Sequence, residues 1–81
     1  TTGSNNVDIG HTALYVNTTG TQNTAVGQGS LTANTTASGN AAFGTDSLKT
    51  NTTGAGNTAL GKDALRTNTT GLPQHSAFPT T

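Results

Sequence analysis

The segment that decides the fold is "NTTGTQNTAVGQGSLTA" at residues 17–33, which returns as "NTTASGNAAFGTDSLKT" at 34–50 and "NTTGAGNTALGKDALRT" at 51–67. Each copy opens with Asn-Thr-Thr, which begins at Asn17, Asn34 and Asn51, so the copies follow one another at a constant interval without a slip. A fixed period of this kind is the signature of a repeat architecture, in which each copy is one structural unit stacked on the next.

Residues that share one position of the repeat are called a column below. Four columns hold the same amino acid in every copy, and a fifth is always large and apolar. The four identical columns are Asn17, Asn34, Asn51 and Asn68; Asn6, Asn23, Asn40 and Asn57; Gly10, Gly27, Gly44 and Gly61; and Leu14, Leu31, Leu48 and Leu65. The apolar column is Ile9, Val26, Phe43 and Leu60.

The repeats predict the domain organisation. Successive copies span 1–16, 17–33, 34–50 and 51–67, with a partial copy at 68–71. The chain opens within a repeat and without Met, so we expect it to be processed, or excised from a longer protein. After Gly71 the pattern breaks at "LPQHSAFPTT", so 72–81 is predicted to be an irregular cap, a linker or an assembly segment.

Composition excludes several functional classes. Only 28% of the 81 residues are hydrophobic and 7% charged, with a formal net charge of zero. A neutral chain lacks the basic surface of nucleic-acid or anionic-membrane binders, so neither partner is predicted. No cysteine is present, which removes disulfides and thiolate metal sites. No apolar run is long enough to predict membrane insertion.

The spacing favours strands over helices, because each repeat has only two large apolar residues, five apart, among Gly, Asn and Thr. Short strands are predicted at segments such as Thr24–Val26 and Ser30–Thr32, with the Gly column at corners where φ is positive or backbones approach closely. The predicted fold is all-β: a parallel β-solenoid or β-roll with one repeat per coil. Equivalent residues would stack about 4.8 Å apart, and stacked Asn side chains would bond to one another.

The predicted core is thin. Two large apolar side chains per repeat contribute little against the entropy of ordering every backbone unit of that repeat. Three chains around one axis would bring the Leu column and the apolar column against their copies. A homotrimer, intertwined or side by side, is therefore favoured over a monomeric solenoid.

Three segments carry a family resemblance: "NTAVGQGSL" at 23–31, "NAAFGTDSL" at 40–48 and "NTALGKDAL" at 57–65. They resemble the Asn-Thr-Ala-x-Gly and Asn-Thr-Thr-Gly arrays of phage tail-fibre proteins and, more distantly, the head repeats of trimeric autotransporter adhesins. The resemblance covers about residues 3–71 and implies trimeric β-rolls that serve as stalks or heads. The 17-residue period is longer than that of adhesin heads, so the resemblance implies stacked repeats without specifying the particular roll geometry.

These observations predict a structural protein and not an enzyme. The expected role is a rigid shaft of a tail fibre or surface adhesin, extracellular or on a virion, with a host receptor bound through another domain. Two alternatives stay open: a self-assembling extracellular filament subunit, and an adhesive or ice-binding solenoid that uses Thr and Asn ladders. No cofactor is predicted.

Other candidate sites have simpler explanations. Each Asn-Thr-Thr is a glycosylation acceptor, giving Asn17, Asn34, Asn51 and Asn68, although turn chemistry accounts for the same motif. His11 and His75 occupy different repeat positions, so no metal site is predicted. Asp46 and Asp63 precede Lys49 and Arg66 by three residues, which predicts weak surface ion pairs. Thr stacks suit ice binding, but neighbouring Thr residues in a strand face opposite sides; they are Thr18, Thr35, Thr52 and Thr69, and Thr19, Thr36, Thr53 and Thr70.

Overall fold

A computed structural model describes residues 3–66 and 75–76 of the chain. The fold is all-β, with five short strands: β1 (Val7–Ile9), β2 (Thr24–Val26), β3 (Ala41–Phe43), β4 (Thr58–Leu60) and β5 (His75–Ser76). They form one sheet in chain order, and every neighbouring pair is parallel. No helix occurs in 3–66 or 75–76, as the absence of helical periodicity predicts.

The register of the sheet equals the sequence period. Thr24 pairs with Ala41, and Ala41 pairs with Thr58, so each strand lies beside the strand one repeat further along the chain. Turn segments follow the same rule, since the Leu31 N–H donates to the Ser47 carbonyl at 3.1 Å. The chain therefore repeats the same backbone path once per copy.

Alternation within each strand sorts its side chains between two faces. The middle residues Ala25, Ala42 and Ala59 are fully buried. The residue after each of them faces outward: Phe43 and Leu60 are 41% and 53% exposed, and Val26 is partly exposed. Ile9, which holds the same position in the first repeat, is 58% exposed. The sequence-based assignment of this apolar column to the core of the chain is therefore wrong, because the central alanine takes the inward position.

The apolar core is accordingly built from one large side chain per repeat. Leu31, Leu48 and Leu65 are at most 2% exposed, and the buried Ala residues surround them. The prediction that the Leu column meets its copies at a trimer axis does not fit this burial. The Leu column belongs to the interior of a single chain.

The strand predicted at Ser30–Thr32 is also wrong. Leu31 has a φ of 50°, and the Asn34 N–H donates back to the Leu31 carbonyl at 3.1 Å, which is a turn bond. By contrast, the strand predicted at Thr24–Val26 is confirmed as β2. Strand β5 lies within 72–81, the segment predicted to be irregular, yet it pairs with β4 in the register of the repeats.

Glycine is required at the corner that follows each strand. The φ angles of Gly10, Gly27, Gly44 and Gly61 lie between 121° and 126°, a region that L side chains rarely adopt. The backbones of successive corners also touch, because a Cβ on Gly27 would lie 2.8 Å from the Gly44 carbonyl carbon. Both reasons that the sequence offers for glycine at this position apply.

Candidate functional site

The outer face of the sheet is the principal candidate for an assembly surface. It consists of the outward residues on either side of the central strand position, here called the outer sheet face. Its members are Val7, Thr24, Ala41 and Thr58, together with Ile9, Val26, Phe43 and Leu60. No charged residue belongs to this set. A continuous apolar stripe across four paired strands is formed by Ile9, Val26, Phe43 and Leu60.

The stripe is unusual for a chain with so few hydrophobic residues. Single exposed hydrophobic side chains are normal on protein surfaces, whereas a contiguous apolar row marks an interaction site. The parallel register places equivalent side chains about 4.8 Å apart, so Ile9, Val26, Phe43 and Leu60 adjoin one another. The geometry thus offers a flat, uncharged surface that association would remove from water.

The interior opposite the stripe contains two columns of buried amides. In the first, each Asn side chain bonds to the one before it: the Asn34 Nδ2 donates to Asn17 Oδ1 at 3.0 Å, and Asn51 Nδ2 donates to Asn34 Oδ1 at 3.2 Å. In the second, the side-chain oxygen instead accepts a backbone N–H, as in the 3.0 Å bond from Asn40 N to Asn23 Oδ1. Both columns link neighbouring repeats.

The two amide columns converge on one carbonyl in each repeat. The Gly54 carbonyl accepts from Asn51 Nδ2 and from Asn40 Nδ2, each at 2.9 Å. The Ala37 carbonyl likewise accepts from Asn34 at 3.1 Å and from Asn23 at 2.8 Å. These bonds close the Asn-Thr-Thr corner and tie it to the preceding repeat. The role of the Asn columns is therefore structural within the described chain.

The same burial argues against glycosylation of the folded protein. Asn17 is 6% exposed, while Asn34 and Asn51 are fully buried, and each amide nitrogen donates to a carbonyl. An acceptor amide must be reached by the transferring enzyme, and these three are not accessible. Asn68, the fourth candidate acceptor, lies outside the described residues.

The charged candidates lie on the surface and make weak contacts. Lys49 Nζ is 3.8 Å from Asp46 Oδ1, and Arg66 is 3.7 Å from Asp63 Oδ1, with side chains 24–48% exposed. Exposed pairs of this kind contribute about 0–1 kcal/mol. His11 is exposed, whereas the side chain of His75 lies outside the described part. Within that part, no group of three or more His, Cys, Asp or Glu residues is placed to hold a metal ion.

The Thr pairs lie in bends and not in strands, so strand alternation does not separate them. Thr18 and Thr19 are both exposed, and the Thr18 hydroxyl donates to the Thr35 carbonyl at 3.1 Å. Thr36 and Thr53 are also exposed. The sequence-based objection to ice binding therefore does not hold. A measurement of thermal hysteresis tests ice binding directly. Thr69 and Thr70 lie outside the described residues.

The sequence shows Asp8 in a column that is otherwise alanine, but it does not show that this column faces inward. This residue occupies the inward column that is otherwise Ala25, Ala42 and Ala59. It lines a cavity of about 280 Å³ at the N-terminal end of the stack, together with Gly3, Asn5, Asn6, Leu14 and Asn17. The signal was present in the sequence as one charged residue in an alanine column.

Comparison of the chain with known protein families, curated proteins and solved structures finds no match. Residues 3–66 and 75–76 contain no helix with the length and apolar character needed to cross a membrane.

Proposed function

We propose that the chain is a parallel β-solenoid with one repeat per coil that serves as the shaft of a fibre, either a phage tail fibre or a surface adhesin. The observation that carries this proposal is the shared register of backbone and side chains. Every described strand pairs with the strand one repeat away, and the amide columns follow the same interval. Such a stack extends along one axis and is stiffened by every added coil.

The proposal fits the surface as well as the interior. The described residues offer an uncharged outer sheet face, weak surface ion pairs and buried amides whose bonds are internal. These features suit a protein that supplies length and stiffness in an extracellular or virion setting, while a receptor is bound through another domain. The tail-fibre resemblance of residues 3–71 supports the same role.

We further infer that the working form is a homotrimer, joined through the outer sheet face of each chain. Each copy presents the same uncharged apolar stripe, so three copies could place their stripes together around a common axis. Side-by-side packing would cover Ile9, Phe43 and Leu60, which are 58%, 41% and 53% exposed in the single chain. The buried Leu column favours side-by-side chains over intertwined ones.

Sedimentation equilibrium combined with electron microscopy tests the proposed function. A mass of three chains that stays constant over a wide concentration range, and short straight rods in the images, are expected. A monodisperse monomer with thermal hysteresis would instead favour ice binding. Electron micrographs of a larger parent protein in which this region is globular and has no long axis would contradict the proposed shaft function.

Replacing Phe43 with Asp tests the interface. A carboxylate in the middle of a packed apolar stripe loses its hydration, so we expect the trimer to dissociate at concentrations roughly a hundredfold higher than for the wild type. Sedimentation velocity over a dilution series gives the measurement, with circular dichroism as the check that the single chain stays folded. Gln28→Asp is the matched control, because Gln28 is exposed beyond the Gly27 corner and the charge change is identical. Equal dissociation of both variants would remove the outer sheet face as the interface.

A further inference from the structure

The Asn-Thr-Thr corners link neighbouring repeats through backbone bonds of their own. Repeats are numbered in chain order here, so the second is 17–33, the third 34–50 and the fourth 51–67. The Thr35 carbonyl of the third repeat accepts three backbone N–H groups of the second. The donors are Thr18, Thr19 and Gly20, at N to O distances of 3.0, 3.2 and 3.2 Å. The Thr18 hydroxyl donates to the same oxygen at 3.1 Å, so four donors hold these two corners together.

The next corner along the stack lacks most of these bonds. The Thr35 N–H donates to the Thr52 carbonyl at 3.5 Å, which is longer than the usual N–H to O bond. In the described chain, neither Thr36 nor Ala37 donates its backbone N–H to that carbonyl. The third and fourth repeats are therefore joined more weakly at this corner than the second and third.

The difference has a cause in the sequence, because Ala37 stands where the second and fourth repeats have Gly20 and Gly54. A Cβ on Gly20 would lie 2.3 Å from the Ala37 carbonyl oxygen and 2.6 Å from Asn17 Oδ1. Real Cβ atoms do not approach other heavy atoms this closely, so the tight contact between two corners requires glycine. Ala37 carries a Cβ inside the stack, where it is 5% exposed. The third repeat therefore cannot make the same close approach to the fourth.

The sheet bonds across the same two contacts are alike. Between the second and third repeats, the Thr24 N–H donates to the Asn40 carbonyl at 2.8 Å. Between the third and fourth repeats, the Ala41 N–H donates to the Asn57 carbonyl at 2.9 Å. The weakness thus belongs to the Asn-Thr-Thr corner and not to the whole contact between the third and fourth repeats.

We propose that the Asn-Thr-Thr corner at Thr35–Ala37 is the weak joint of the stack, the place where neighbouring repeats separate first. Backbone bonds that cross between repeats oppose local opening, and this corner has fewer and longer ones. The joint rests on the corner bonds alone and does not depend on the outer sheet face or on a trimer. In a shaft, a single weak joint would be a fixed bending point, which goes beyond the supply of length and stiffness.

Amide hydrogen exchange of the full chain, followed by NMR, tests the weak joint. In the wild type we expect the amide of Thr36 to be at least roughly tenfold less protected than that of Thr19, its counterpart in the second repeat. Ala37→Gly should raise the protection of the Thr36 amide by roughly tenfold, because the two corners can then approach and bond. This gain is opposite to the usual effect of glycine, which loosens the backbone. Equal protection of Thr19 and Thr36 in the wild type would overturn the proposal.

Ala55→Gly is the matched control, because it removes the same methyl group from an exposed position of the next Asn-Thr-Thr corner. The protection of the Thr36 amide should stay at its wild-type value in this variant. If Ala55→Gly raises that protection as much as Ala37→Gly does, or if Ala37→Gly leaves it unchanged, Ala37 does not create a weak joint.

A reciprocal exchange should move the joint by one repeat. Gly20→Ala combined with Ala37→Gly places the Cβ in the second repeat, so we expect the Thr19 amide to lose protection and the Thr36 amide to gain it. Weak protection that stays at Thr36 would contradict the proposal. If circular dichroism shows that the double variant does not fold, Ala37→Gly and its control still decide the question. The mass in sedimentation equilibrium tests the proposed trimer separately, so the failure of one proposal is distinguishable from the failure of the other.

Discussion

Alanine in place of Gly44 is expected to lower the free energy of unfolding by about 3 kcal/mol or more. Gly44 has a φ of 126°, which is unfavourable for a residue with a Cβ. The added Cβ would also lie 2.6 Å from the Gly61 carbonyl carbon and 2.7 Å from its oxygen. Both atoms belong to the backbone of the next corner, so relief of the clash requires two repeats to move apart.

Gly39→Ala is the matched control for this prediction. Gly39 also has a positive φ, 75°, but a Cβ there would meet nothing closer than the Gly56 nitrogen at 3.9 Å. The equivalent positions in earlier repeats hold Asn5 and Gln22, with φ of 62° and 59°, so side chains are accommodated. We expect a loss of about 1 kcal/mol. Chemical denaturation of the two variants at equal protein concentration gives the two free energies of unfolding. Equal losses of stability would show that the close contact between the Gly44 and Gly61 corners contributes nothing to the cost of Gly44→Ala.

The corner glycines illustrate how much of the fold follows from the sequence. The constant repeat period predicts which strands pair and in which register, because stacked identical columns have only one alignment that keeps like beside like. The all-β class, β2 and the positive φ at the Gly column follow from the same pattern and are confirmed.

What the pattern could not predict concerns the direction of individual side chains. Leu31 lies in the left-handed region, which costs a branched L-residue about 1–2 kcal/mol. The spacing of the turn residues instead predicts that it lies in a strand. Burial of its side chain and the bond from its N–H to the Ser47 carbonyl hold it in the left-handed region. Hydrophobicity likewise places Phe43 inside, whereas Ala42 takes the inward position in that strand.

The sequence shows the composition of the proposed assembly surface but not its exposure. The column Ile9, Val26, Phe43 and Leu60 is plainly apolar, yet its exposure depends on which side of a short strand faces the core. The position of Asp8 depends on the same geometry. The sequence shows one charged residue in an alanine column, and only the full burial of Ala25 shows that this column faces inward.

Removing one amide from the interior should be as damaging as a clash at a corner. Asn40 is 1% exposed, its Oδ1 accepts the Asn57 backbone N–H at 2.9 Å, and its Nδ2 donates to the Gly54 carbonyl at 2.9 Å. Asn40→Ala takes an acceptor from a buried N–H and leaves a cavity. We expect a loss of about 2–4 kcal/mol in the free energy of unfolding. Gln28→Ala, at an exposed position, should change it by less than about 0.5 kcal/mol.

An isosteric variant separates the two hydrogen bonds of this side chain. Asn40→Asp keeps an oxygen for the Asn57 N–H but turns a carboxylate oxygen towards the Gly54 carbonyl, where the wild type has a donor. Burial beside a carbonyl raises the pKa of that carboxyl, and its protonated form can donate to Gly54. The stability deficit of Asn40→Asp relative to wild type should therefore shrink as the pH falls, whereas that of Asn40→Ala should stay constant. Parallel pH profiles for the two variants would mean that the bond from Asn40 Nδ2 to the Gly54 carbonyl does not support the stack.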